Sequence, residues 1–463
     1  MLFWLAISQA WSLRPDEGGL YSYDPSDSLM YVDGPAEIIR VHYSVDGPNV
    51  TLMEDTDASG HPDFAEEIAS TAEEVLFFYE SIGFEAPLRE SEMGLEPLGG
   101  SDALDVYLVD FNGVGDGLFS YDECLGSVCS GFMTIENDFV GYGYPSLTHA
   151  IRVLTSHELF HGVQAYYNAD QPGWMSEGMA VWAEHQFDPD VDDFYWFCDA
   201  YLEDTGRSID RPPAGSVTAF SYGTALFFQF LTERHSTDII VDLQNLLHEE
   251  GAQYPIDILS SAVFQRDQTL ELEWQNFARW NLATGERAGA TDSYWFAERL
   301  SGIQAEATGT SIQDENRFYP LAASYFRLHH LGGDLHFTTS QDPTGLVFSL
   351  HAVAFGDEDG PVTDPIEIWS PQTIEVRTWE DMEPGGYWLV GTYPSEADQS
   401  IKLQLCLGNQ ADIEPCLIDD NQSNNTASNS QTNGCACHST RQPTTLMCVF
   451  VGLTALFLRR TNH

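Results

Sequence analysis

The chain has 463 residues, enough for two or three domains with a sizeable core. Its 18 Lys and Arg against 72 Asp and Glu leave a formal charge of −54, which argues against a nucleic-acid partner, because phosphate binding needs basic stripes. Lys402 is the only lysine; that balance suits surroundings where salt or divalent cations screen self-repulsion, and compositional drift in a secreted protein gives the same balance.

Residues 1–10 are apolar and end in Ser8-Gln9-Ala10, the small-x-small pattern of a signal-peptide cleavage site, without a basic stretch before them. Residues 38–43 alternate and predict a strand. In 55–66, Asp55, Asp57, Ser59, His61, Asp63 and Glu66 take positions 1, 3, 5, 7, 9 and 12 of a loop, with Gly60 at position 6. That is the spacing of a calcium loop, with His61 offering its backbone carbonyl. Pro62 at position 8 and the lack of a preceding helix predict a lone structural Ca2+ loop capping the helix from Phe64 to about residue 84. A solvated acidic turn is the other reading. Residues 104–111 and 131–135 read as strands. Cys124 with Cys129, and Cys406 with Cys416, bracket short loops and could form local disulfides in an exported protein. Cys198, in an aromatic run, reads as a buried thiol.

The stretch His157-Glu158-Leu159-Phe160-His161 reads H-E-x-x-H. Ile151, Leu154, Leu159, Val163 and Tyr166 make an apolar stripe that predicts a helix around it. A helix puts residues four apart on one face, so both imidazoles can converge on one metal. Glu158 then lies near the open coordination position, as base toward a metal-bound water. Two His and a Glu on a core helix are costly without a partner, and a metal is the simplest one. A third ligand is expected nearby. Pro172 and Gly173 break the chain, Ser176 or the turn before it can cap a second helix, and Glu177 and Glu184 follow on it. The other reading of Glu177, a helix N-terminal charge favoured by the dipole, is the weaker one, because a catalytic zinc wants three protein ligands.

Within Trp174-Met175-Ser176-Glu177-Gly178-Met179-Ala180 the chain resembles the gluzincin metallopeptidases, in which a Glu on the next helix completes His-His-Glu coordination of Zn2+. The resemblance implies His157, His161 and Glu177 as zinc ligands and Glu158 as the catalytic glutamate. The gap from His161 to Glu177 is shorter than in the best-known members, which keeps Glu184 as a second choice. A metzincin would need a His where Tyr167 stands. The resemblance also implies an intermediate-stabilising Tyr or His from the helical half, and Tyr222, in Ser221-Tyr222-Gly223, stands about where it is expected; a core tyrosine is the other reading. Across about residues 35–290 the chain is similar to a group of secreted metalloproteases from myxobacteria and their relatives, through Val106-Tyr107-Leu108-Val109-Asp110-Phe111, Cys129-Ser130-Gly131-Phe132-Met133 and Glu136-Asn137-Asp138-Phe139-Val140-Gly141-Tyr142-Gly143-Tyr144-Pro145.

Residues 192–204, 221–234, 238–249 and 269–284 read as helices. From about 290 the texture changes to short alternating runs at 322–328, 345–351, 373–378, 386–392 and 400–406, separated by Gly, Pro and Asp, the pattern of a β-sandwich. Residues 419–433 are rich in Asn, Ser, Asp and Gln and read as a flexible linker. In 434–463, Gly434-Cys435-Ala436-Cys437 precedes an apolar run and Arg459-Arg460. This resembles the MYXO-CTERM sorting tail, which implies a membrane anchor before processing by a sorting protease; a plain C-terminal anchor has the same topology.

The expected fold is α+β. A gluzincin-like metallopeptidase domain over 30–290 comprises a mixed sheet, an active-site helix and a helical subdomain; an all-β sandwich-like accessory domain over 291–418 follows. The expected protein is an exported or surface-anchored zinc endopeptidase acting on protein or peptide substrates; no G-x-M-E-N-type exopeptidase motif is present. The competing reading is a non-catalytic cell-surface binding or adhesion protein on a metallopeptidase scaffold.

Overall fold

The computed structural model describes residues 13–417, apart from 20, 192, 215–217, 290–291, 355–359 and 396–398. The signal peptide expected over 1–10, the linker over 419–433 and the tail over 434–463 lie outside the described residues. No helix of the described residues is long and apolar enough to cross a membrane.

The fold is α+β. Strands β1 (Leu29–Asp33) and β2 (Ile39–Ser44) pair antiparallel; helix α1 (Asp63–Ser81) then leads to β3 (Leu104–Val109), parallel to β2. Strands β4 (Gly117–Leu125) and β5 (Val128–Glu136) form a hairpin, and β5 runs parallel to β3. The order β1-β2-β3-β5-β4 leaves β4 at an edge. Cys124 and Cys129 face each other across the hairpin and are disulfide-bonded.

Strands β2 and β3 alternate in sequence yet are buried throughout. Val41, Tyr43, Val106 and Leu108 join the apolar core shared with the helices. The intervening polar residues are covered by the N-terminal segment. The buried Arg14 guanidinium pairs there with Glu90, Asp105 and Asp122, and His42 Nε2 lies 2.7 Å from Asp105 Oδ1. Removing Arg14 would leave those carboxylates uncompensated, which is the costly way to break a buried ion cluster.

Helices α2 (Leu147–Tyr167) and α3 (Gly173–Phe187) come next. The Ser146 side chain caps α2 by accepting from the His149 amide at 3.1 Å. Helix α3 starts at the turn before Ser176, with Pro172 at its N-cap. Helices α4 (Phe194–Leu202), α5 (Ala219–Gly223), α6 (Ala225–His235), α7 (Asp238–Glu250), α8 (Pro255–Phe264) and α9 (Leu270–Leu282) follow. The single helix expected over 221–234 is two, α5 and α6, separated at Thr224. That hydroxyl donates to Trp174 O at 2.5 Å and lies 2.7 Å from Ser221 O, tying the break to the start of α3. Gly178 makes this approach possible, because a Cβ there would sit 2.1 Å from Thr224 Oγ1.

The remainder is two sheets built from β6 (Ala307–Gly309), β7 (Ile312–Phe318), β8 (Ala323–His330), β9 (Gly333–Thr339), β10 (Val347–Val353), β11 (Val362–Trp369), β12 (Arg377–Met382), β13 (Gly385–Thr392) and β14 (Ile401–Gly408), closed by helix α10 (Gln410–Leu417). Their orders are β11-β10-β13-β8-β6 and β12-β9-β14-β7. Phe326, Phe348 and Leu389 from the first sheet and Phe337, Leu403 and Leu405 from the second fill the space between them. Cys406 on β14 is bonded to Cys416 on α10. The strand expected over 373–378 starts only at Arg377; Ile374 and Val376 alternate but are exposed. The two-sheet unit rests on α9, where Trp274 Nε1 donates to Ala322 O at 3.2 Å and Tyr325 OH to Ala278 O at 2.9 Å.

Candidate metal centre

Helices α2 and α3 bring His157, His161 and Glu177 together. His157 Nε2 lies 3.2 Å from His161 Nε2 and 3.3 Å from Glu177 Oε2, and His161 Nε2 lies 3.4 Å from that same oxygen. A tetrahedral centre with bonds of about 2.0–2.1 Å separates its ligands by about 3.3–3.4 Å. The three atoms therefore span one face of such a tetrahedron.

The outer nitrogens decide which atoms face inward. His157 Nδ1 lies 2.5 Å from Glu184 Oε1, a carboxylate that accepts. His161 Nδ1 lies 2.8 Å from Gln164 Oε1. Both Nδ1 atoms carry the proton in the neutral rings, so two lone pairs meet at the Nε2 contact. That is repulsive unless a cation sits between them. Without a metal, protons substitute. Burial pulls the pKa of His157 down, but hydrogen bonds to Glu177 and Glu184 outweigh it and raise it well above the ordinary histidine value. His161 is likewise raised, burial being outweighed by the charge of Glu177 and its hydrogen bond. Burial alone would raise Glu177; the charge of His161 and hydrogen bonds from both rings hold it well below the usual carboxylate range. The donor set, two imidazoles and one carboxylate, could hold a zinc ion and would leave a fourth position open.

Glu184 is the alternative third ligand, but it lies behind His157, on the nitrogen turned away from the centre. Glu177 and Glu184 are seven residues apart on α3, so one reaches the centre and the other backs a ligand. This backing is the role of an outer-layer carboxylate, which orients the imidazole and raises its basicity.

Glu158 lies beneath β4. A Cβ on Gly117 would come within 2.9 Å of Glu158 Cγ and Oε1 and 2.7 Å of Leu154 Cδ1, so only glycine fits there without displacing them. Glu158 is raised above the ordinary carboxyl value, by burial first and then by Glu177 and Asp116, against the pull of both histidines. Tyr222 is half-buried, its ring centroid 5.8 Å from that of His157 and stacked 4.7 Å from Phe197. Burial, then Glu177, Glu158 and Asp116, raise its phenol, which stays protonated as a donor.

Sequence reasoning missed Gln164, Asp116 and Gly117. Asp116, held by the Tyr144 hydroxyl at 2.7 Å, acts electrostatically on both Glu158 and Tyr222. Gln164 was findable: residues three apart on a helix are neighbours, and a metal-bound His needs an acceptor on its other nitrogen.

In the 55–66 loop the carboxylates of Asp55, Asp57 and Asp63 converge. Glu66, one turn into α1, is not part of this cluster. Asp55 and Asp57 accept from the Ser59 amide at 3.1 and 2.9 Å, and Asp55 also accepts from the Gly60 amide at 3.1 Å. The Ser59 hydroxyl donates to His61 O at 3.3 Å, and His61 Nδ1 lies 3.0 Å from Tyr43 OH. Gly60 adopts φ +94°, as the sharp turn requires.

A scan against protein-family models gives no match, and neither does comparison with curated proteins. Among solved structures, the chain is similar to the Aeromonas hydrophila periplasmic inhibitor of g-type lysozyme, PliG, at 12% identity, with 23% of this chain and 98% of that chain covered and a TM-score of 0.17. It is also similar to the pre-peptidase C-terminal domain of a Bacillus anthracis collagenase, at 12% identity, with 23% and 97% covered and a TM-score of 0.15. Scores this low carry no argument about fold or function.

Proposed function

We propose that the chain is a zinc metallopeptidase of the gluzincin type, cleaving internal bonds of protein or peptide substrates. The observation that carries the reading is the triangle of two Nε2 atoms and one carboxylate oxygen, with edges of 3.2–3.4 Å and both Nδ1 atoms turned outward toward acceptor oxygens. Zinc bound there supplies Lewis acidity toward water and a scissile carbonyl. Glu158 takes the proton of the attacking water and returns it to the leaving amine, a task suited to a carboxyl raised by burial. The neutral Tyr222 hydroxyl donates to the oxygen that develops negative charge. No strand pairs the second edge of β4 among the described residues, and Gly117 sits on that strand against Glu158. An extended peptide added along this edge would pass beside the base.

The two disulfides fit an oxidising compartment, and with the ends of the sequence they support export and tethering to the cell surface. The decisive experiment is metal analysis of the purified protein with a casein or peptide-library digest. About one zinc per chain is expected, because among the described residues one donor set combines imidazoles with a carboxylate, the ligands zinc prefers. Glu158→Gln is expected to keep the metal and slow hydrolysis by about 10²–10⁴-fold. Cleavage by that variant at the wild-type rate would remove Glu158 from the mechanism; zinc binding with no cleavage of any library peptide would favour a binding protein on the same scaffold.

A further inference from the structure

We infer that Gln164 is a positioning residue for the centre: it fixes which nitrogen of His161 faces inward and ties the two donor-bearing helices together. The inference rests on the zinc reading above. Gln164 Nε2 lies 2.9 Å from the backbone oxygen of Ser176, which can only accept. The amide is therefore oriented with its nitrogen toward α3 and its oxygen toward His161 Nδ1, at 2.8 Å. An amide oxygen cannot donate, so in the neutral ring the His161 proton sits on Nδ1 and the Nε2 lone pair points at His157 and Glu177. The Ser176 hydroxyl donates to the same Gln164 oxygen at 3.0 Å.

Two properties make this more than a local contact. Ser176 immediately precedes Glu177, so one side chain joins the second histidine on α2 to the residue beside the carboxylate ligand on α3. Gln164 is also buried, so breaking the set strands several polar groups at once. His157 is backed differently, by the carboxylate of Glu184. The two imidazoles are thus unequal: one leans on an anion, the other on a neutral amide that also holds the helix spacing. A carboxylate at position 164 would still accept from His161 but would set an anionic oxygen against Ser176 O.

The test compares Gln164→Leu and Gln164→Glu with wild type, on the full chain. Zinc affinity is measured by chelator competition. The His161 tautomer is read from 15N imidazole spectra of the metal-free protein at a pH where the ring is neutral, the signal being assigned by its loss in His161→Ala. Gln164→Leu is expected to weaken zinc binding about 10–100-fold and to shift His161 away from the pure Nδ1–H tautomer. Gln164→Glu is expected to restore that tautomer and part of the affinity. Wild-type affinity and tautomer in Gln164→Leu would overturn the inference. Should that variant not fold, loss of the Nδ1–H tautomer in folded Gln164→Glu would overturn it instead. Absence of zinc binding in wild type would count against the metallopeptidase reading, while the tautomer spectra would still decide the role of Gln164.

Discussion

Two buried histidine arrangements in this chain differ in one respect that matters. In the two-sheet unit, His351 is closed: its Nε2 lies 2.9 Å from Ser349 Oγ and its Nδ1 lies 3.1 Å from Thr363 O. Every polar atom of that ring has a protein partner. Between α2 and α3, the outer nitrogens of His157 and His161 are closed by separate partners, whereas the inner ones converge on each other and share one oxygen of Glu177. Buried polar groups satisfied among themselves hold a fold together; lone pairs that converge on one another can share a cation.

The sharpest way to break this contrast is to remove carboxylates from α3 one at a time. Glu177→Ala deletes a donor atom and is expected to cause the largest loss of zinc affinity. Glu184→Ala only releases the outer proton of His157 and is expected to cost about 10–100-fold. Equilibrium competition with a chelator orders the two, and the reverse order would exchange their roles.

Gly117→Ala is expected to press on Glu158 while sparing the donors. A displacement of that size should lower kcat by about 10²-fold, with zinc content unchanged. Steady-state kinetics beside metal analysis reads both. Lost zinc would mean that β4 supports the whole centre and not the base alone.

The closed histidine makes the opposite kind of prediction, in stability. Burial, aided by the positive charge of Arg279, lowers the pKa of His351 to about 4, against the hydrogen bond to Thr363 O and the charge of Asp364. The unfolded chain binds this proton near pH 6.5, and the folded chain resists it until about pH 4. The contribution is therefore intact above about pH 6.5 and is lost progressively down to about pH 4, by up to about 3 kcal/mol. Urea midpoints at pH 7 and pH 5 should show a smaller difference for His351→Gln than for wild type. An equal difference would place the acid sensitivity elsewhere.

The smallest effect belongs to the exposed loop. If Asp55, Asp57 and Asp63 take up calcium, saturating calcium with zinc held constant should raise Tm by a few degrees, and Asp55→Ala with Asp57→Ala should cancel the rise. An unchanged melting curve would leave a solvated acidic turn held by its own amide contacts.

Elements with a strong apolar period were legible. The stripe through Ile151, Leu154, Leu159 and Val163 corresponds to α2, and the alternation at 345–351 and 400–406 falls on β10 and β14. Strands whose outward residues are charged were not legible. Strand β7 fully buries only its ends, Ile312 and Phe318, with Gln313, Glu315 and Arg317 exposed and Asp314 and Asn316 half-buried between them. Strand β4 carries Asp122 and Glu123 in its second half, the Asp122 carboxylate being paired with the buried Arg14. Alternation also misled, since Ile374 and Val376 alternate without entering a strand. The break between α5 and α6 was invisible because the apolar pattern continues through it and the cause, the Thr224 bond to Trp174 O, lies 50 residues away.

The sequence by itself determined the pairing on α2, because spacing of four on a helix puts His157 and His161 on one face whatever surrounds them. It could not choose between Glu177 and Glu184. Seven residues are nearly two helical turns, so both carboxylates point to the same side of α3, and no local rule separates them. Only the docking of α3 against α2 does. With Gln164 holding the start of α3 beside His161, Glu177 meets the inner nitrogens, and two turns further along Glu184 meets the outer nitrogen of His157.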